Sequence, residues 1–188
     1  SITAGNPPDS DAQQAFLAGT EGPALLVDPG SWGNLSGSEW MKEAARSAIK
    51  SGLQDQIKEK KRSVPLSVSG VGKNAESAKH DTHVPITLQS YDGRPIAGGF
   101  EAAVIDNSKL PALLGLKTLI DQRAVLDFTD PDNLTLSFGG PGKTTIDYAP
   151  GTDVFVLQQA PTGHLMLPCA RHDIRSKKAP PTSGYGIK

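Results

Sequence analysis

The segment Pro23-Ala24-Leu25-Leu26-Val27-Asp28-Pro29-Gly30-Ser31 contains the most informative pattern in the chain. Its apolar run up to Val27 is typical of a buried β-strand, and Asp28-Pro29-Gly30 is a turn signal that ends the run. Asp28 is the only aspartate that stands at the end of an apolar strand and before a glycine turn. Taken alone, this pattern predicts an ordinary carboxylate in a strand-end turn, in which Gly30 allows the chain to turn tightly.

A helix is predicted directly after this turn. Ser36 and Glu39 have the spacing of a capping box, in which the two side chains satisfy the first helical N–H groups. Gly52 stands where a C-terminal cap is expected. Between them, apolar residues recur on one face of the helix, namely Met41, Ala44, Ala45, Ala48 and Ile49.

Most of the remaining chain has the alternation and turn signals of short strands. Tyr91-Asp92-Gly93-Arg94 predicts a hairpin turn, and the apolar stretch Leu110–Leu119 passes into a short helix. The 20 glycines, the 15 prolines and the aromatic share of only 5% favour strands and turns over long helices. The predicted fold class is mainly β with one clear and one short helix, and its strands are Val64–Val71, Val84–Leu88, Phe100–Ile105, Ala124–Phe128, Leu134–Phe138, Ile146–Tyr148 and Val154–Leu157.

The length of 188 residues suggests one domain with additions. Polar stretches rich in proline and glycine mark both ends of the chain. We predict an extended N-terminal arm at 1–22, a main domain at 23–140, a C-terminal β extension at 141–173 and an extended C-terminal arm at 174–188.

The charge pattern gives no reason to expect nucleic acid or an anionic membrane as a partner, since the net charge is −1. The basic run Lys58-Glu59-Lys60-Lys61-Arg62 is interpreted as a solvated loop. No apolar run approaches the roughly 20 residues that span a bilayer. The single cysteine, Cys169, excludes an intrachain disulfide and favours a reducing intracellular compartment, although the sequence does not fix the location.

Taken in order, several segments resemble those of retropepsin-like aspartic proteases. The family has Asp-Thr-Gly or Asp-Ser-Gly where this chain has Asp28-Pro29-Gly30. Further resemblances lie in a flap-like Gly70-Val71-Gly72, in Phe100–Ile105 and in the signature Leu113-Leu114-Gly115, within about residues 23–140. Later stretches, including Tyr148–Thr152 and Ala160–Cys169, resemble the region C-terminal to this domain in Copia-type retrotransposon polyproteins of dinoflagellate algae.

The resemblance implies a retropepsin-like half-barrel and an aspartic endopeptidase that needs no metal or cofactor. One chain supplies only Asp28, so the second carboxylate must come from an identical chain across a twofold axis. Two carboxyls about 3 Å apart cannot both ionise, and they divide into an acid and a base. The resemblance also implies that Ser31 can hydrogen-bond Asp28, that Gly70, Val71 and Gly72 cover an extended peptide, and that Pro29, Leu114 and Gly115 belong to the turn or dimer contact.

Pro29 departs from the family, where a threonine or serine ties the two active-site turns together across the dimer. Proline has neither the hydroxyl nor the backbone N–H for this role. Each lost hydrogen bond costs on the order of 1 kcal/mol, counted twice in a symmetric dimer. The alternative function is therefore an inactive retropepsin-fold subunit of a larger protein assembly.

Other motifs in the chain have simpler interpretations. His80 and His83 lack nearby cysteines and are interpreted as exposed polar residues. Gly139–Thr145 lacks the first glycine of a phosphate-binding loop, because Ser137 stands in its place. Ser67-Val68-Ser69-Gly70 does not form a serine-hydrolase elbow. Trp32 and Trp40 are interpreted as core or interface anchors near the Asp28 turn.

Overall fold

A computed structural model describes residues 23–68, 76–139, 145–152, 155 and 157–167. The chain divides into two compact units, Ser1–Ile146 and Asp147–Lys188. The predicted arms, 1–22 and 174–188, lie outside the described residues. Within the part that is described, no helix combines the length and the apolar character needed to cross a membrane.

In its described residues the first unit is mainly β, with one long and one short α-helix, which confirms the predicted fold class. A 3₁₀ turn, Gln54–Gln56, follows the long helix. In chain order the elements are β1 (Leu25–Asp28), β2 (Leu35–Gly37), α1 (Ser38–Lys50), β3 (Lys58–Val68), β4 (Glu76–Gln89), β5 (Pro95–Ile105), β6 (Ala112–Gly115), α2 (Leu116–Asp121), β7 (Val125–Asp127) and β8 (Thr135–Ser137).

Six of these strands form one sheet in the order β1-β6-β2-β5-β4-β3. β1 and β6 run parallel, so that Asp28 pairs in register with Gly115 at the ends of both strands. β2 runs antiparallel to β6 on its other side, where Leu35 pairs with Leu113. The chain must therefore cross the end of β6 between β1 and β2, which brings the Asp28 turn to the start of α2.

The core contains two clusters on opposite faces of the sheet, because alternate residues of β5 point to opposite sides. Ala102 and Val104 belong to the cluster that includes Trp40 of α1, whereas Ala103 and Ile105 belong to the other. The indole N–H of Trp40 donates to the carbonyl oxygen of Ala24 at 2.9 Å. α1 is thereby joined directly to the residue before β1.

The predicted capping box of α1 is wrong. Gly37 is the N-cap and makes no side-chain cap hydrogen bond, while the Ser36 hydroxyl donates to the Gly37 carbonyl at 3.0 Å. Ser36 is held in β2 by its pairing with Val104, so it cannot also cap the helix. A Cβ on Gly37 would lie 2.5 Å from the Ser108 carbonyl oxygen, which requires glycine at this close approach.

The C-terminal cap at Gly52 is confirmed. Gly52 has φ of +73° and donates its N–H to the carbonyl oxygen of Ile49, while Leu53 donates to Ala48. These two bonds form a Schellman motif. The predicted apolar face was partly wrong, because Ile49 is 54% exposed and Trp40 occupies the core instead. The buried residues of α1 are Trp40, Met41, Ala44 and Ala48, so three of the five predicted positions are confirmed.

The basic run was wrongly assigned to a loop. Residues Lys58–Arg62 form the first half of β3 and pair with β4, with a register shift between Lys61 and Leu66. Apolar periodicity could not reveal this strand half, because its side chains are charged. This segment is a strand because it pairs with β4, in which apolar residues do alternate.

Two turns in the first unit are stabilised by aspartates. The hydroxyl of Ser90 and the guanidinium of Arg94 hold the pKa of Asp92 below its ordinary value at the predicted hairpin turn, where Gly93 has φ of +82°. The hydroxyl and backbone N–H of Thr129 likewise lower the pKa of Asp127 after β7. Both turns are thus stabilised by the ionised carboxylates.

The second unit contains a short antiparallel pair, β9 (Gln158–Gln159) and β10 (Leu165–Met166). Its turn has Gly163 at φ of +92°. The strand predicted at Ile146–Tyr148 is not formed. In Val154–Leu157 only residues 155 and 157 are described, and neither is in a strand.

Candidate active site

Asp28 is the last residue of β1 and lies half-buried at the sheet end, followed by the exposed residues Pro29 and Gly30. The Gly30 N–H donates to the Asp28 carboxylate Oδ1 at 2.9 Å. The Ser31 N–H closes the turn by donating to the Asp28 carbonyl oxygen at 3.1 Å. The backbone of its own turn therefore orients the Asp28 carboxylate. The donor is the N–H of Gly30, because Pro29 has none.

The start of α2 binds the next part of the turn. The Leu116 N–H donates to the carbonyl oxygen of Ser31 at 2.8 Å, and the Lys117 N–H donates to that of Trp32 at 2.9 Å. The first N–H groups of a helix have no partner within the helix. Here the turn supplies that partner, so the Asp28 segment and the Leu-Leu-Gly segment form one structural piece.

Asn34 is a third connection, and the sequence analysis missed it. Its side-chain oxygen accepts from the Gly115 N–H and from the Thr118 hydroxyl, each at 2.9 Å. Its side-chain nitrogen donates to the carbonyl oxygen of Glu101 on β5, also at 2.9 Å. The only sequence signal was an asparagine after a glycine, which is equally typical of an ordinary turn.

Gly115 lies against the same turn with no room for a side chain. A Cβ there would lie 2.4 Å from the carbonyl oxygen of Gly33. Leu114, by contrast, is buried in the core cluster around Trp40. Gly115 thus contributes to the turn through backbone contact, and Leu114 contributes packing beneath it.

Ser31 has a different partner from the one that the family resemblance implied. Its hydroxyl donates to the Gly33 carbonyl oxygen at 2.7 Å rather than to the Asp28 carboxylate. Trp32 is 47% exposed beside the turn, whereas Trp40 is buried and packs edge-on against Phe100 at 5.5 Å. Only Trp40 is therefore the core anchor that was expected.

The predicted flap residues Gly70, Val71 and Gly72 lie outside the described residues. The strands on both sides of them are described, and Val68 of β3 pairs with Glu76 of β4. β3 and β4 are therefore an antiparallel pair on either side of this segment, and the flap stays a prediction.

His80 and His83 do not form a joint site. Their partners on β5 are Val104 and Glu101, and an odd separation along a strand points two side chains to opposite faces. Among the residues that the structure describes, no group of three or more histidine, cysteine, aspartate or glutamate side chains is arranged to hold a metal ion.

Comparisons with known proteins give a structural likeness. No family model matches the chain, and no curated protein matches it. Among solved structures, the chain is similar to the retroviral protease-like domain of Ddi1 from Leishmania major, with 17% identity and a TM-score of 0.33. The match covers 65% of this chain and 83% of that one. At this level the likeness carries no argument about activity.

The Asp28 turn and the start of α2 are brought together by elements that are far apart in the chain. β1 leads to the Asp28 turn, β2 and α1 follow it, β3, β4 and β5 come next, and β6 enters α2 through Leu-Leu-Gly. The turn presents one oriented and partly accessible carboxylate. One carboxylate alone cannot serve as both acid and base in peptide hydrolysis, so the chemistry needs a second such group.

We expect replacement of Asn34 by alanine to destabilise the chain by about 2 to 3 kcal/mol, because three hydrogen bonds are lost and the Gly115 N–H keeps no partner. Urea unfolding followed by tryptophan fluorescence measures this difference. Asn133→Ala is the matched control, since its amide makes one exposed bond to Asp130. Equal effects of the two substitutions would contradict the role assigned to Asn34.

Proposed function

We propose that this protein is an aspartic endopeptidase that acts as a homodimer, with Asp28 contributed by each of two identical chains. The observation that carries the proposal is the Asp28 carboxylate, oriented by the Gly30 N–H on a turn that is hydrogen-bonded to α2. A twofold axis at this turn would place two such carboxylates together. One chain alone provides half of the required chemistry.

In the dimer, the two Asp28 carboxyls share one proton because like charges about 3 Å apart cannot both ionise. The ionised carboxylate removes a proton from a water molecule, whose oxygen attacks the peptide carbonyl carbon. The protonated carboxyl gives its proton to the carbonyl oxygen. In the collapse of the tetrahedral intermediate the C–N bond breaks, the carboxyl that took the water proton gives it to the leaving nitrogen, and the other carboxylate takes a proton from a hydroxyl of the intermediate.

The substrate is an extended peptide held by backbone hydrogen bonds beneath the predicted flap of residues 66–80. By the family resemblance, we propose that its natural source is a retroelement polyprotein that contains this same domain. The flap is supported by one observation, the pairing of β3 with β4 on both sides of the predicted flap residues.

Pro29 supports a second candidate, an inactive subunit of a larger protein assembly. The residue is exposed on the turn, and it lacks both groups that join the two turns in the family. In this alternative the chain keeps the fold but forms no catalytic pair, and it binds other proteins asymmetrically.

The test is to incubate the 188-residue chain with a complex peptide library and to map cleavage by mass spectrometry, between about pH 4 and 7 where a carboxyl pair can share a proton. The chain concentration is varied over several orders of magnitude. Specific activity that rises with concentration supports a catalytic dimer. An absence of cleavage at every concentration supports the inactive subunit.

Pro29→Ser is expected to strengthen dimerisation about 30-fold, because two new hydrogen bonds of about 1 kcal/mol each form across the twofold axis. Sedimentation equilibrium measures the dissociation constant. Pro131→Ser, at an exposed position in the turn between β7 and β8, controls for the general effect of removing a proline. The same dissociation constant in both variants would show that position 29 does not contact its twin.

A further inference from the structure

The outer strand β3 has an exposed basic half. β3 ends the order of the sheet, and its only strand neighbour within the described residues is β4. Lys58, Lys60 and Lys61 are all exposed there. An edge strand presents unpaired N–H and C=O groups on its free side, so this half combines backbone hydrogen-bonding groups with positive charge.

The charges are arranged by face. Successive side chains of a strand alternate, which places Lys58 and Lys60 on one face, about 7 Å apart, and Lys61 on the other. Arg62 follows on the first face but forms a salt bridge with Asp81 of β4. Within the described part of the chain, no salt bridge involves the three lysines.

We propose that the free edge of β3 binds an extended acidic segment of another protein by strand addition, with carboxylates at alternate positions facing Lys58 and Lys60. The spacing of about 7 Å between the two lysines equals the spacing of alternate side chains in the added strand. Backbone hydrogen bonds supply affinity in this mode, and the side chains select the partner. The proposal does not depend on peptide cleavage at Asp28.

A peptide fits this edge better than a nucleic acid. Glu59 interrupts the basic run, the charge of Arg62 is balanced by Asp81, and the chain carries a net charge of −1. Binding to a phosphate backbone draws on many uncompensated cations. Edge lysines also repel unspecific strand pairing, and the same repulsion is removed when the incoming strand carries carboxylates.

The experiment uses the full chain with Asp28→Asn, so that no probe is cleaved. Fluorescence anisotropy measures binding of a labelled decapeptide of alternating glutamate and threonine at low salt. One comparison peptide carries glutamine for glutamate, which removes the charges. The other carries proline in place of two neighbouring central residues, which keeps all but one carboxylate and removes a backbone N–H that faces β3 in either register. The variants are the pair Lys58→Glu with Lys60→Glu, and the matched control Lys109→Glu at an exposed position after β5.

We expect both comparison peptides and the double variant to bind at least tenfold more weakly, and Lys109→Glu to stay within twofold of the parent. Circular dichroism first establishes that the double variant is folded, so that its weaker peptide binding is not a result of unfolding. Equal binding of the proline peptide would overturn strand addition. The proposed partner would be overturned if the folded double variant bound the acidic peptide as well as the parent does. It would also be overturned if a single-stranded oligonucleotide bound more tightly than the acidic peptide.

Discussion

Replacing Asp28 by asparagine is expected to lower kcat/KM for peptide cleavage by at least about 10⁴-fold, the upper range for a positioned general base, because both acid–base groups of the dimer are lost together. The fold should remain, since the amide oxygen of asparagine can still accept the Gly30 N–H that now bonds Oδ1 at 2.9 Å. Cleavage of the best library peptide, measured at a chain concentration above the dimer dissociation constant, gives the ratio.

Asp106→Asn is the matched control, because Asp106 is also an aspartate at the end of a strand but is exposed and follows β5. It should retain full activity. Cleavage that survives in purified Asp28→Asn would contradict the assignment of Asp28, and the sites of cleavage would then identify a contaminant or another catalytic group.

Mixing the two proteins separates a shared site from a site within one chain. Excess Asp28→Asn protein should suppress the activity of a fixed amount of native chain, because native subunits are drawn into mixed dimers that hold one carboxylate. A site contained within one chain would be unaffected by the mixture. The result therefore tests the subunit arrangement independently of the loss in the pure variant.

The parts of the fold that sequence predicted are those set by local chemistry. Gly52 has the positive φ of a helix cap, and Gly93 has that of a hairpin turn, because glycine adopts this conformation at little cost. The strand before Asp28 was also recognisable, since it is a short apolar run with a stop signal.

The parts that sequence missed depend on distant partners. Ser36 has the spacing of a cap, but its backbone is committed to pairing with Val104 in β5. Asn34 makes its bonds to residues at sequence distances of 67 to 84 positions, which no local pattern encodes. The basic half of β3 is a strand because β4 pairs with it, although its own side chains carry no apolar alternation.

The tight contact between Gly115 and the turn that follows Asp28 gives a prediction that needs no assumption about catalysis. Gly115→Ala should destabilise the chain by about 2 to 4 kcal/mol, because the new methyl group would lie 2.4 Å from the Gly33 carbonyl oxygen. The position of the methyl group is fixed by the backbone at residue 115 and the carbonyl oxygen belongs to the backbone of Gly33, so neither can rotate away. The turn would have to move off α2 and weaken the bond from the Gly115 N–H to Asn34.

Gly33→Ala makes the same chemical change on the opposite side of this contact, where an added Cβ meets nothing within 4 Å. It should change the free energy of unfolding by less than about 1 kcal/mol, as surface substitutions usually do. Urea unfolding of the two variants, followed through the buried Trp40, compares them directly. Equal stabilities would mean that the turn and the start of α2 are not held in contact. A loss confined to Gly115→Ala would mean that the Asp28 turn derives its position from β6 and α2, since glycine is required on only one side of the contact.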